Sequence, residues 1–188
     1  MKPKLTEKDF KNAAISLNCE VAAIKAVAEV ESKSDGFLST DEPIILFERH
    51  VFSRLTRHLY DSTNPDVSNR DPGGYGAISR QHKRLQAAVA LDRNAALMSA
   101  SWGKFQIMGF NFTLAGYNSL QQFITAMYTS EAAHLDAFVH YIINTFIDDE
   151  LRAKNWKEFA RRYNGPAYSK NLYDSKLQKA YTKFKNLE

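Results

Sequence analysis

Glu31 is the residue whose type and placement most directly suggest chemistry. Counted from Ile24, residues Val21, Val27 and Ala28 fall on one face at helical spacing, and Glu31, seven residues on, continues that apolar face. Glu29 points the other way, where Lys25 at i,i+4 can pair with it. The two glutamates are therefore not equivalent. Glu29 reads as a solvated surface charge, and Glu31 as a carboxyl ending a buried stripe, where Ser32-Lys33-Ser34-Asp35-Gly36 breaks the helix. Burial disfavours the ionised form and raises a carboxyl pKa. A carboxylic acid still protonated near neutral pH can give its proton to a glycosidic oxygen. Taken alone, the same spacing also suits a glutamate making a structural hydrogen bond at a helix end.

Two later segments offer binding groups. In Ser101-Trp102-Gly103-Lys104-Phe105-Gln106-Ile107-Met108-Gly109, the glycines allow close backbone approach and Gln106 offers donor and acceptor together. Trp102 and Phe105 would supply apolar surface for sugar rings. Arg162-Tyr163-Asn164-Gly165-Pro166 closes a helix and sends Tyr163 toward a cleft. An inverting hydrolase also needs a second carboxylate, about 6.5–9.5 Å from the acid, to activate water, and a retaining one needs it closer. Asp35, Asp41, Glu42 and Glu48 follow Glu31. Glu48 ends the apolar run Ile44-Ile45-Leu46-Phe47 beside Arg49 and His50, and is either that carboxylate or a structural one held by Arg49. Asp41 is the next candidate, and Asp35 suits a turn.

Metal and nucleotide chemistry find little support. His134 and His140 lie on different helix faces, and Glu131 with His134 does not complete an H-E-x-x-H motif. His50, His58 and His82 do not cluster with other ligand types. No catalytic metal and no cofactor is expected. Gly73-Gly74-Tyr75-Gly76 joins no clear strand to a helix and reads as a shaped loop.

The elements that must hold these residues are helical nearly throughout. Thr6 caps a first helix to about Leu17, and Glu20–Ser32 forms a second. Further helices are predicted at about 44–57, 78–91 and 94–101. Ser119 with Gln122 opens another as a capping box. Ser130 opens a longer one, with Ala133, Phe138, Tyr141, Ile142 and Phe146 as core candidates, and Asn155 with Glu158 caps the next. Residues 60–76 are rich in turn formers and form a long loop of the kind found at cleft rims. A short hairpin fits there or around 36–46. The fold class is thus all-α, with at most one small hairpin.

The chain's 188 residues, 44% of them hydrophobic, suffice for one core, so residues 1–188 are read as a single domain. The net charge of +4 suits an anionic partner as well as ordinary solubility. Cys19 is the only cysteine and cannot form an intrachain disulfide. The opening MKPKLTEKDF has no apolar signal-peptide core, and no apolar run reaches the ~18 residues of a membrane span. Residues 169–188 read as a basic amphipathic helix within the domain. Its apolar stripe is Tyr173, Leu177, Ala180, Tyr181 and Phe184, surrounded by Lys170, Lys176, Lys179, Lys183 and Lys185. Such a helix either packs on the core with a solvated lysine face or binds an anionic membrane surface. No nucleic-acid-binding motif is present.

Taken in order, Glu31-Ser32, Gly103-Lys104-Phe105-Gln106-Ile107 and Arg162-Tyr163-Asn164-Gly165 resemble the three motifs of the goose-type lysozyme and lytic transglycosylase superfamily. With Phe47-Glu48-Arg49-His50, Pro72-Gly73-Gly74-Tyr75-Gly76, Ser99-Ala100-Ser101 and Tyr173-Asp174, the chain resembles the N-acetylmuramidases of phage endolysins over about residues 5 to 182. The resemblance implies a lysozyme-like helical domain with a substrate cleft. It implies cleavage of the β-1,4 bond between N-acetylmuramic acid and N-acetylglucosamine in peptidoglycan. Glu31 would be the general acid, and Ser32, Gln106, Tyr163 and Asn164 would lie at the cleft, with Tyr163 near the acid. It also implies a monomer made in the host cytoplasm, released through a holin pore and acting on the wall in the periplasm. Arg162 stands where alanine is common in the superfamily, and Lys33-Ser34 where many relatives carry glycine. Two rivals remain. One is a lytic transglycosylase, in which the sugar's 6-hydroxyl attacks to give a 1,6-anhydro product. The other is a membrane-active protein working through its basic C-terminal helix.

Overall fold

The computed structural model describes residues 2–31, 35–165, 169 and 171–187. Ser32 therefore lies outside the described residues, as do Lys33, Ser34, Pro166 and Lys170.

Helix α1 (Glu7–Leu17) starts at Thr6, whose hydroxyl accepts from the Asp9 amide while the Asp9 carboxylate accepts from the Thr6 amide. This reciprocal cap contributes about 1 kcal/mol. The helix ends at Asn18 in the left-handed conformation. Helix α2 (Val21–Glu31) buries Ala22, Ala23, Ile24, Ala26, Val27 and Ala28. Its many alanines let neighbouring helices approach closely. Glu29 is exposed as predicted, but it pairs with Lys183 at 2.5 Å, while Lys25 pairs with Glu7.

The region predicted as a helix over 44–57 divides in two. Ile45–Phe47 is strand β1, and the helix α3 (Arg49–Leu55) begins only after Glu48. The apolar run Ile45-Leu46-Phe47 alternates buried, half-buried and buried, the period of a strand with one face on the core. The predicted helix over 94–101 is likewise cut short. Helix α5 (Arg93–Met98) is capped by Asp92 and gives way to strand β2 (Ala100–Trp102), which turns into β3 (Ile107–Met108). The three strands form one antiparallel sheet in the order β1-β2-β3, with Leu46 opposite Ser101 and Ser101 opposite Met108. The hairpin thus lies at 100–108. The 36–46 segment contributes a single bridge, Phe37 to Pro43, and residues 60–76 form no strand.

The remaining helices are α4 (Gln81–Val89), α6 (Leu120–Met127), α7 (Glu131–Asn144), α8 (Asp148–Ala153), α9 (Trp156–Asn164) and α10 (Tyr173–Lys185). Ser119, Ser130 and Asn155 cap α6, α7 and α9 with their side chains. Helix α7 runs through the core, burying Phe138 and Ile142 completely. Phe146, expected in that core, follows the helix end at φ 57 and is 77% exposed. Helix α10 packs along α2 through Leu177 and Ala180.

Candidate active site

The C-terminal ends of α2 and α9 meet at Glu31. The Asn164 side-chain amide donates to Glu31 Oε1 at 3.1 Å. Burial pushes the Glu31 carboxyl from its ordinary 4.5 up to about 7, against the smaller opposing effect of the Asn164 bond. The negative dipole ends of two helices act in the same direction as burial. Glu31 opens onto a hollow of about 120 Å³, lined also by Phe105, Gln106, Ile107, Met108, Asn111, Tyr141, Tyr163 and Asn164. A carboxyl that is protonated near neutrality and open to a polar hollow can donate a proton to a bound ligand.

The opposite wall is the β2–β3 turn. Gln106 sits there at φ 50; its Oε1 accepts from the Ser101 hydroxyl at 2.7 Å, and its Nε2 donates to the carbonyls of Gly103 (2.8 Å) and Ile44 (3.4 Å). Its amide is thus mostly spent on shaping the turn, and an acceptor lone pair remains for a ligand. Tyr163 donates its hydroxyl to the Phe105 carbonyl at 2.9 Å, joining the end of α9 to the same turn. Its ring is wedged among Phe138, Tyr141 and Phe159. Burial and the nearby Glu31 charge hold its phenol neutral, so it positions rather than ionises.

Along β1, Ile45 and Phe47 point into the core, so Leu46 and Glu48 take the other face. Ser101, opposite Leu46, is on that face too, and its hydroxyl reaches Gln106 at the hollow. Glu48 follows the strand as the N-cap residue of α3 and is not among the residues that line the Glu31 hollow. Burial raises its carboxyl above the ordinary value, opposed by the charge of His50, a hydrogen bond from the Tyr75 hydroxyl and the charge of Arg84. Arg84 itself donates to the carbonyls of Tyr75 and Asp66, which fastens the 60–76 loop over this cluster. Gly74 makes that approach feasible: at φ 67, a Cβ there would lie 2.7 Å from Arg49 Cζ. His50 Nδ1 is 3.1 Å from Glu48 Oε2 but is not aligned for a hydrogen bond. Both atoms, with Arg49 Nε, are buried without a hydrogen-bond partner among the described residues.

The N-acetylmuramidase family model matches residues 20–185. The chain belongs to the N-acetylmuramidase family. The muramidase also resembles the crystal structure of the Burkholderia AP3 phage endolysin, with a TM-score of 0.91 and 40% identity, over 98% of this chain and 72% of that one. No match to a curated protein was found. The muramidase is accordingly a glycoside hydrolase, and its fold is the helical, lysozyme-like one with a small sheet.

Of the predicted site residues, the muramidase brings Glu31, Phe105, Gln106, Tyr163 and Asn164 around one hollow. Two expectations need correction. Trp102 and Phe105 are each only 1% exposed, so neither ring offers a surface to a sugar. The Trp102 indole donates to the Leu97 carbonyl, and Phe105 stacks on Phe138. Strand alternation turns Trp102 inward, and the turn turns Phe105 after it. Asp41 has a structural reason for its type: it closes the turn between Phe37 and Pro43 at φ 64, a conformation that aspartate tolerates.

Asn111 and Tyr141 were not foreseen at the site. Asn111 lies four residues beyond Ile107, just past the motif, and a motif-bounded reading stops short of it. Glu131 and His134, set aside as an incomplete metal motif, are a staple. Glu131 is 3% exposed and accepts from the Gly36 and Leu5 amides and from Lys104 Nζ. His134 accepts from the Lys104 amide at Nδ1 and contacts the Met127 carbonyl through Nε2. One turn of α7 thus ties the segment after α2 to the β2–β3 turn.

Proposed function

We propose that this muramidase is an endolysin that hydrolyses the β-1,4 bond between N-acetylmuramic acid and N-acetylglucosamine in bacterial peptidoglycan, with Glu31 as general acid and Glu48 as the carboxylate that guides water. The observation that carries the reading is the Glu31 carboxyl itself, buried at two converging helix ends, poised near pH 7 and open to a polar hollow. Its proton goes to the glycosidic oxygen as the bond to the muramic anomeric carbon breaks. The leaving sugar departs as a neutral alcohol. Water attacks the anomeric carbon, and Glu48 takes the water's proton, so charge balances without a metal or cofactor. Asn164 holds the acid, while Asn111 and the remaining acceptor of Gln106 meet sugar hydroxyl and acetamido groups.

Glu48 is favoured over Asp41 because its carboxyl is partly buried beside His50, Tyr75 and Arg84 and raised above its ordinary value, whereas Asp41 serves a turn. On this reading a holin pore carries the enzyme to the wall; no described helix is long and apolar enough to cross a membrane. The test is mass spectrometry of products from purified peptidoglycan, digested by wild type and by Glu31→Gln. Reducing-end muramic acid from wild type, lost in the variant, is expected. Anhydromuramic products would replace the water step with attack by the sugar's own 6-hydroxyl. Undiminished cleavage by Glu31→Gln would remove Glu31 from the acid role.

A further inference from the structure

A charged groove of about 550 Å³ lies between α2 and α10. It is lined by Glu29 and Val30 from α2, Asn171, and Tyr173, Lys176 and Lys179 on the α10 side, with Ala180 and Lys183 further along. The groove borders the end of α2 that carries Glu31. Val30 precedes Glu31 in the chain, and burial, with a further contribution from the Glu31 charge, raises the Tyr173 phenol. Lys183 is neutralised by Glu29 at 2.5 Å, whereas Lys176 and Lys179 have no salt-bridge partner among the described residues. Tyr173, Val30 and Ala180 give the groove apolar surface between these cations.

The same helix argues against a membrane as the occupant. The apolar stripe that would enter a lipid surface is already spent: Leu177 and Ala180 are buried, Tyr173 and Tyr181 are half-buried, and Tyr181 packs on Trp156. What remains facing outward is a concave, cationic strip leading away from the acid. A ligand for it must be anionic, narrow and joined to the glycan beside the cleaved bond.

We propose that this groove receives the peptide stem of the muramic acid whose glycosidic bond is cleaved, with Lys176 and Lys179 pairing with the stem's carboxylates and its alanine methyl groups against Tyr173, Val30 and Ala180. The proposal rests on the muramidase reading above and gives it a substrate preference. Because stem and scissile bond belong to one molecule, the second contact is intramolecular and modest ion pairs suffice to hold the glycan in register.

The test compares kcat/KM on purified glycan strands that keep their stems with that on strands stripped by an amidase. The proteins are wild type, Lys176→Glu/Lys179→Glu, and Lys8→Glu/Lys11→Glu on α1 as a control of equal net charge. Wild type is expected to prefer stem-bearing strands. The groove variant should lose roughly tenfold of that preference, through KM, since two exposed ion pairs are replaced by repulsion; the α1 control should keep it. An unchanged preference in the groove variant, or equal loss on both substrates, would overturn the proposal. So would loss of binding to phosphatidylglycerol vesicles with the preference intact, which would assign the groove to a membrane surface. Failure of wild type to cut either substrate would instead sink the muramidase reading on which the proposal stands.

Discussion

Replacing Glu31 with glutamine should stabilise the protein at alkaline pH while removing its activity. The folded carboxyl has a pKa of about 7, against an ordinary value of 4.5. The sign follows from proton binding. Between those values the folded state holds a proton that the open chain has released, so wild-type stability falls as pH rises and levels off above about 7. The full difference corresponds to about 3 kcal/mol at ~1.36 kcal/mol per pKa unit. Solvent at the mouth of the hollow reduces this to about 2 kcal/mol. Glutamine keeps the shape and the acceptor for Asn164 but never ionises. Thermal unfolding of the two proteins should therefore coincide near pH 4 and separate by roughly 4–8 °C at pH 8.5, with the variant higher, at about 2–4 °C per kcal/mol for a chain of this size. A separation that does not depend on pH, or a variant less stable at pH 8.5, would refute the claim that the Glu31 carboxyl is held protonated by its surroundings.

Three further perturbations probe the rest of the site. As the proton donor, Glu31 must be neutral, so activity should fall as pH rises through about 7; Asn164→Ala removes the bond that holds this value down, and the alkaline limb of the kcat/KM profile should move upward. Glu48→Gln should lower kcat about 100-fold or more with little change in KM and an unchanged circular dichroism spectrum, whereas a purely structural Glu48 would lower the melting temperature and leave kcat nearly intact. Gly103→Ala places a Cβ 2.7 Å from the His134 ring at φ 68, and the combined strain should cost about 1–3 kcal/mol, read as a drop of several degrees in melting temperature.

Ile24, Val27 and Glu31 share a helix face by arithmetic, so the burial of Glu31 and the direction of its pKa were legible before any fold was known. Caps were equally legible, because Thr6, Ser119, Ser130 and Asn155 act on amides two or three residues away. The strands were not. Ile45–Phe47 and Ala100–Trp102 are three residues each, too short for a period to declare itself, and they are strands because they find one another across more than fifty residues. That pairing turns Trp102 into the core.

Local order thus determined which residues form helices, where those helices begin, and which carboxyl ends an apolar face. Only the tertiary structure decided what faces the acid. Glu131 and His134 of α7 reach both the segment after α2 and the β2–β3 turn, and Tyr163 of α9 ties the same turn from the other side. The physical reason is range: a cap or a periodic face is settled within a few residues. A catalytic hollow, by contrast, depends on hydrogen bonds that close only when distant segments are packed together.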